Sequence, residues 1–226
     1  MKSVVISPSI LSANFSCIAD EIHALEKAGA DAIHYDVMDN HFVPNLTFGF
    51  KFVEDAIRTS SIKSDVHLMI DNPENSIDTW IACMQKRPAM LTFHIEACRD
   101  ANAVESTITR IRQAGIEAAL SIKPNTPVSA LTPYLTSLDA VLIMLVEPGF
   151  GGQGMIPETV AKIAELRTLC PNMHIQVDGG VKSDNYKELI ALGADNLVIG
   201  SGIFALATPG ATGNDYTEAI HRFRGA

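Results

Sequence analysis

Eight short runs of apolar and β-branched residues recur along the chain, and segments with helical spacing lie between them. The runs are VVISPSIL (4–11), AIHYDVM (32–38), SDVHLMI (64–70), MLTFHIE (90–96), EAALSIK (117–123), AVLIMLV (140–146), HIQVDGG (174–180) and NLVIGSG (196–202). Their starts fall about 20 to 35 residues apart, the length of one strand–helix unit. The intervening segments are IADEIHALEKAG, FKFVEDAIRT, ENSIDTWIACMQK, ANAVESTITRIRQAG, VSALTPYLTS, IPETVAKIAELRTL and SDNYKELIALG. Several reach a glycine (Gly29, Gly115, Gly193) where a helix C-terminus favours a left-handed residue. Strands that alternate with helices pair in parallel, and a parallel sheet must be covered on both faces. The pattern predicts the α/β class and a single (β/α)8 TIM barrel over residues 1–226. A doubly wound open sheet is the alternative. It would use fewer strands and an early G-x-G-x-x-G, which this sequence lacks.

Composition narrows the function classes. A 226-residue chain that is 47% hydrophobic suits a large buried core. A net charge of −9 and a pI near 5.2 argue against nucleic acid or an anionic membrane as partner. A small phosphorylated ligand remains compatible, because backbone amides hold phosphate without a basic surface. The start, MKSVVISPSILSANF, does not read as a signal peptide, and no run of 18 apolar residues suggests a membrane span. Cys17, Cys83, Cys98 and Cys170 lie far apart, which predicts reduced, mostly buried thiols and a cytoplasmic protein.

In a barrel of this kind, chemistry gathers at the C-terminal ends of the strands. The second strand runs into HYDVMDNHFVPN (34–45), which sets His34, Asp36 and Met38 on alternate positions and so on one face. The third strand end carries His67 and the seventh Asp178. A lone histidine in a strand is more often a satisfied core residue than a ligand. Two imidazoles and two carboxylates at matching heights weaken that reading, since a buried carboxylate needs a partner. The mixed nitrogen and oxygen set suits Zn, Fe, Mn or Co in the divalent state. His94 and Glu96 share a face of the fourth strand and are expected to support the ligands from behind. Met38 and Met69 share the inward face with Asp36 and His67, and Met144 lies at a similar height. Methionine stripes are usually core filler.

Three late loops are rich in glycine: EPGFGGQG (147–154), DGGV (178–181) and IGSGIF (199–204). They permit close approach of backbone N–H groups to an anion, although glycines also serve simply as tight turns.

Taken in order, SPSILSANF (7–15), HYDVMDNHFVPN (34–45), DVHLMI (65–70), VEPGFGGQ (146–153), VDGGV (177–181) and VIGSGIF (198–204) resemble the motifs of the ribulose-phosphate 3-epimerase family. The resemblance runs from about residue 5 to about residue 205. It implies a barrel of the ribulose-phosphate-binding type that interconverts D-ribulose 5-phosphate and D-xylulose 5-phosphate with one divalent metal per subunit. Carried over, the metal ligands fall on His34, Asp36, His67 and Asp178, and the acid and base are Asp36 and Asp178. Ser9 and His67 would contact the substrate. Its phosphate would be held by the loop Gly149, Phe150, Gly151 and Gly152, by Gly179 and Gly180, and by Gly200 and Ser201. Met38, Met69 and Met144 would line the reacting centre. A homo-oligomer is implied as well.

Two positions depart from the family pattern. Asn40 stands where glycine is usual, and asparagine is the next residue most at ease with positive φ. Leu145 stands where Ser or Thr is usual; with Met144 pointing inward, Leu145 points outward to the helices. The rival readings are an epimerase of a six-carbon ketose phosphate such as D-allulose 6-phosphate, a decarboxylase or aldolase, and a non-catalytic phosphosugar-binding barrel. A decarboxylase or aldolase would want a strand lysine. Lys123 ends the fifth run, but within KPNTP it resembles a helix-entering turn, and no D-x-K-x-x-D run is present.

Overall fold

Parallel pairing organises the chain. The computed structural model describes residues 4–210 and 213–224. Its eight parallel strands are β1 Val5–Pro8, β2 Ala32–Met38, β3 Lys63–Met69, β4 Met90–His94, β5 Glu117–Ile122, β6 Ala140–Met144, β7 His174–Asp178 and β8 Asn196–Ile199. They are hydrogen-bonded in the order β1-β8-β7-β6-β5-β4-β3-β2. The seam closes between β1 and β2, where the Asp31 N–H donates to Ile6 O at 3.0 Å and Ser9 bridges His34 in parallel. The (β/α)8 barrel expected from the sequence is the architecture found.

The pleat divides each strand between two environments. On β2, Ile33, Tyr35 and Val37 face outward into the layer shared with the helices, and His34, Asp36 and Met38 face the barrel axis. The same parity puts Leu145 outward, fully buried in that apolar layer, as expected for an apolar residue there.

The covering helices are α1 Ile18–Lys27, α2 Phe50–Arg58, α3 Ile77–Cys83, α4 Ala101–Gln113, α5 Ala161–Leu169 and α6 Tyr186–Leu192. A single turn, α7 Ser201–Phe204, and α8 Thr217–Phe223 follow. Local chemistry marks their ends. Asp100 caps α4 by accepting from Ala103 N at 2.8 Å. Gly29, Gly115 and Gly193 follow α1, α4 and α6 with φ of 85°, 74° and 117°.

Three expectations need correction. VSALTPYLTS forms no α-helix; it makes a 3₁₀ turn, Val128–Leu131, followed by irregular turns. Pro133 supplies no N–H to continue a helix, and Pro127 opens the segment in extended backbone. The four cysteines are free but only half-buried. Glu96 lies beyond β4 on a 3₁₀ turn, Ile95–Ala97, so it does not share a strand face with His94. Residues Thr208–Gly210 and Gly213–Asp215 add a small antiparallel pair that the sequence reading did not anticipate.

Asn40 has φ of 59°, as its replacement of glycine requires. The turn around it is held by Asp39, whose Oδ1 accepts from His41 N at 2.8 Å and Phe42 N at 3.0 Å, and whose Oδ2 accepts from Asp71 N at 2.8 Å. Substituting Asn40→Val should cost about 1–2 kcal/mol, because a β-branched residue is poorly accommodated in left-handed backbone. Asn40→Gly should be close to neutral. Thermal melts of the two variants decide the matter; an unchanged Tm in Asn40→Val would mean the turn does not hold this geometry.

Candidate active site

Strand register assembles the polar set. Asp36 lies opposite His67, Met38 opposite Met69, and Met144 opposite Asp178. One ligand-capable atom from each of His34, Asp36, His67 and Asp178 lies within 4.8 Å of the others. Both histidines are fully buried. Asp36 Oδ1 is 3.3 Å from His34 Nε2 and 3.2 Å from His67 Nδ1, and His67 Nδ1 is 4.0 Å from Asp178 Oδ2. Ser9 Oγ donates to Asp36 Oδ2 at 2.5 Å. The sequence expectation thus converges on one point of the barrel.

Behind each imidazole stands a second group. His34 Nδ1 is 2.7 Å from Asp65 Oδ2, which also accepts from Gln176 Nε2 at 2.5 Å. His67 Nε2 is 2.9 Å from His94 Nε2, and His94 Nδ1 is 3.2 Å from Glu96 Oε2. The supporting place foreseen for His94 and Glu96 is the one they occupy. Asp65 and Gln176 were missed. The only cue was parity, since Asp65 precedes His67 by two and Gln176 precedes Asp178 by two, on the same inward faces.

The electrostatics of this cluster call for a cation. Burial alone would raise the Asp36 pKa, but His34 and His67 outweigh it and hold the carboxyl far below the usual range. Burial and then the Asp36 charge push Asp178 up to about 7. Burial disfavours the charge on His34, yet the Asp65 and Asp36 carboxylates raise its pKa well above the ordinary value. His67 is lowered, chiefly by burial. Three carboxylates therefore converge where only one imidazole readily takes a proton. His34 Nε2 is buried and makes no hydrogen bond, although Asp36 Oδ1 is near. An orphaned imidazole nitrogen among carboxylates, in a set of two nitrogens and two oxygens, fits a divalent metal such as zinc.

Above this floor lies a cleft partly open to solvent. Ser9, Asp36, Asp178, Gly149, Phe150, Gly151, Gly152, Gly179, Gly180, Gly200 and Ser201 all line it, as do Met38, Met69 and Met144. His34 and His67 do not; they lie beneath, out of reach of solvent. Leu11, Ser12, Val146 and Gln153 also line the cleft and were missed. Ser12 sits so close to Gly200 that a Cβ there would lie 2.7 Å from its hydroxyl. Gln153 Nε2 closes the loop after β6 by donating to Glu147 O at 2.7 Å and Phe150 O at 2.8 Å. Asn45 Nδ2 ties that loop to the one after β2 by donating to Gly149 O at 2.6 Å.

Comparison with known proteins agrees with this arrangement. The chain is 42% identical to ribulose-phosphate 3-epimerase 2 of Cupriavidus necator, over 100% of this chain and 93% of that one. It is 38% identical to ribulose-phosphate 3-epimerase of Bacillus subtilis, over 99% of both. Among solved structures, a tryptophan synthase α-subunit mutant from Pyrococcus furiosus superposes with a TM-score of 0.71 at 15% identity, over 100% of this chain and 98% of that one. That likeness concerns the barrel alone. The model of the Ribulose-phosphate 3 epimerase family matches residues 5–204. With its motifs, its barrel and its relatives in accord, the chain belongs to the ribulose-phosphate 3-epimerase family.

Proposed function

We propose that the cleft inverts the carbon beside the ketone of a phosphorylated pentulose, interconverting D-ribulose 5-phosphate and D-xylulose 5-phosphate. The observation that carries this reading is the pair of carboxylates, Asp36 from β2 and Asp178 from β7, that line one cleft. Asp36 is held ionised, while Asp178 is pushed up to about 7. Epimerisation removes a proton from one face of a carbon and returns another to the opposite face, so it needs one group of each kind. In one direction Asp36 Oδ1 or Oδ2 accepts the proton and Asp178 donates; in reverse the roles exchange. Because the two groups interact closely, their protons belong to the pair.

Ser9, donating to Asp36 Oδ2, orients that carboxylate and leaves Oδ1 toward the histidines. His34, Asp36, His67 and Asp178 would hold one divalent cation, which when bound supplies Lewis-acid stabilisation of negative charge on neighbouring substrate oxygens. Met38, Met69 and Met144, each at most 3% exposed, exclude water without offering competing N–H or O–H donors. Backbone amides of the loops carrying Gly149–Gly152, Gly179–Gly180 and Gly200–Ser201 would take the phosphate at the far side of the cleft.

Incubation with D-ribulose 5-phosphate in deuterated water tests the reading. A two-carboxylate exchange delivers a solvent-derived hydron, so xylulose 5-phosphate should carry deuterium at C3 from the first turnover. Product without deuterium at C3, or no product from the metal-loaded protein, would remove the proposal.

A further inference from the structure

We propose that the Ser12 hydroxyl is a ligand of the substrate's phosphate, so that one short turn after β1 serves both ends of the substrate. The inference rests on the reading above that the glycine loops hold a phosphate. Among the described residues lining the cleft there is no lysine, arginine or histidine. An anion there must be held by neutral donors, the backbone N–H groups and any side chain with a hydrogen to give. The hydroxyl and amide side chains of the cleft are Ser9, Ser12, Gln153 and Ser201. Ser9 commits its hydrogen to Asp36 Oδ2, and Gln153 Nε2 directs its pair at Glu147 O and Phe150 O. Ser12 and Ser201 remain. Ser201 stands in a loop already given to the phosphate, whereas Ser12 belongs to the segment after β1.

Two glycines locate that hydroxyl. A Cβ added at Gly200 would stand 2.7 Å from Ser12 Oγ, and one added at Gly151 would stand 3.6 Å from it. Ser12 Oγ therefore sits between the loops after β6 and β8, and it hydrogen-bonds no other described residue. The turn that carries it is fixed at its start. Ser9 caps the 3₁₀ turn Ile10–Ser12, its Oγ accepting from Leu11 N at 3.3 Å, and Ser12 N donates to Ser9 O at 3.3 Å. Three residues complete one turn of such a helix, so side chains at i and i+3 lie on the same side. Ser9 and Ser12 stand in that relation, and both line the cleft. Ser9 gives its hydroxyl to the carboxylate at the reacting end, and Ser12 sets its own beside the glycine loops.

Ser12→Ala removes the hydroxyl and breaks no hydrogen bond among the described residues, so its Tm should stay close to wild type. KM for D-ribulose 5-phosphate should rise about 10–100-fold, the usual worth of a hydrogen bond to a charged group. The change in kcat should be far smaller, because the phosphate is bound alike before and during the reaction. The Kd of inorganic phosphate, read by calorimetry on the full chain, should rise with KM. Ser12→Cys has nearly the same shape but a weak donor, and it should share the loss. Gly200→Ala checks the geometry. Its Cβ would displace the Ser12 hydroxyl, but after Ser12→Ala the nearest atom is Ser12 Cβ at 3.7 Å, an ordinary contact. Gly200→Ala should therefore raise KM much more in the wild type than in Ser12→Ala.

If Ser12 merely fills the space beside Gly200, cysteine restores the wild-type KM and the proposal is overturned. An unchanged KM and phosphate Kd in Ser12→Ala, with a wild type that turns over D-ribulose 5-phosphate, overturns it too and leaves the proposed function standing. A loss in kcat larger than the rise in KM would put Ser12 at the reacting end, against the proposal. Should Ser12→Ala fail to fold, Ser12→Cys decides by the same readings. A wild type that binds inorganic phosphate and loses it in Ser12→Ala, yet turns over no D-ribulose 5-phosphate, keeps the Ser12 contact and removes the epimerase reading. A wild type that does neither removes both.

Discussion

Asp36→Asn and Asp178→Asn should each lower kcat by about 10²–10⁴-fold, the usual worth of a positioned acid or base, and yet move thermal stability in opposite directions. The two aspartates sit in one cleft, but the surroundings favour ionisation of only one. The folded state favours the Asp36 carboxylate, through the nearby His34 charge, the contact with His67 and the Ser9 hydroxyl, so a neutral amide discards favourable interactions. Its folded pKa is depressed, so its contribution to stability is present at neutral pH and is lost only in acid. Asp178 has the opposite sign. Its folded pKa is raised to about 7 from an ordinary value of 3.8, so ionising it between those limits works against folding. Asparagine removes that penalty. In protein treated with a chelator at neutral pH, Asp36→Asn should therefore melt below wild type and Asp178→Asn at or above it. Melts that shift the same way in both variants would sink the electrostatic asymmetry. Substantial turnover in either would remove its catalytic assignment.

The residues that carried the strongest message in the sequence were those whose chemistry conflicts with their local environment. His34, Asp36 and Met38 stand out because a strand buried on both faces has no reason to alternate polar side chains unless the barrel axis is a working surface. Glycine loops after β6, β7 and β8 stand out because three strand ends carry the same feature. Asp65 and Gln176 were illegible for the converse reason. Gln176 is a single polar residue between apolar neighbours and Asp65 follows Lys63 and Ser64 at the start of its strand, so neither stands out, and only the fold reveals that Asp65 backs His34. VSALTPYLTS has apolar residues at helical spacing, but spacing does not report the N–H that Pro133 lacks. Glu96 was given its supporting place by parity with His94 along one strand, yet the strand ends at His94 and a 3₁₀ turn brings the carboxylate back to the imidazole. That expectation reached the right contact through the wrong geometry.

Gly180→Ala should be among the most damaging single-methyl additions in the molecule, and the reason is backbone against backbone. Gly180 has φ of 65°, a left-handed conformation that costs an L side chain about 1–2 kcal/mol. A Cβ there would also lie 2.5 Å from Met155 N and 2.8 Å from Met155 Cα. Neither atom belongs to a flexible side-chain end. The next residue is fixed to the end of the β6 segment by the Ile156 N–H, which donates to Leu145 O at 2.8 Å, so the segment cannot simply swing aside. Gly180 O is held as well, accepting from Asn185 Nδ2 at 2.9 Å. Overpacking of this kind adds about 1–3 kcal/mol, for a total of about 2–5 kcal/mol. Gly152 is the matched control. It lines the same cleft with φ of 77°, but a Cβ there meets nothing within 4 Å, so Gly152→Ala should cost only the conformational part. Thermal melts should therefore rank wild type above Gly152→Ala and Gly152→Ala well above Gly180→Ala. Under the proposed function, the loop shift forced by Gly180→Ala should also raise KM for the phosphorylated substrate, because it displaces amides that would hold the phosphate. Equal Tm values for the two variants would show that Met155 yields freely and that the close approach does not constrain this wall of the cleft.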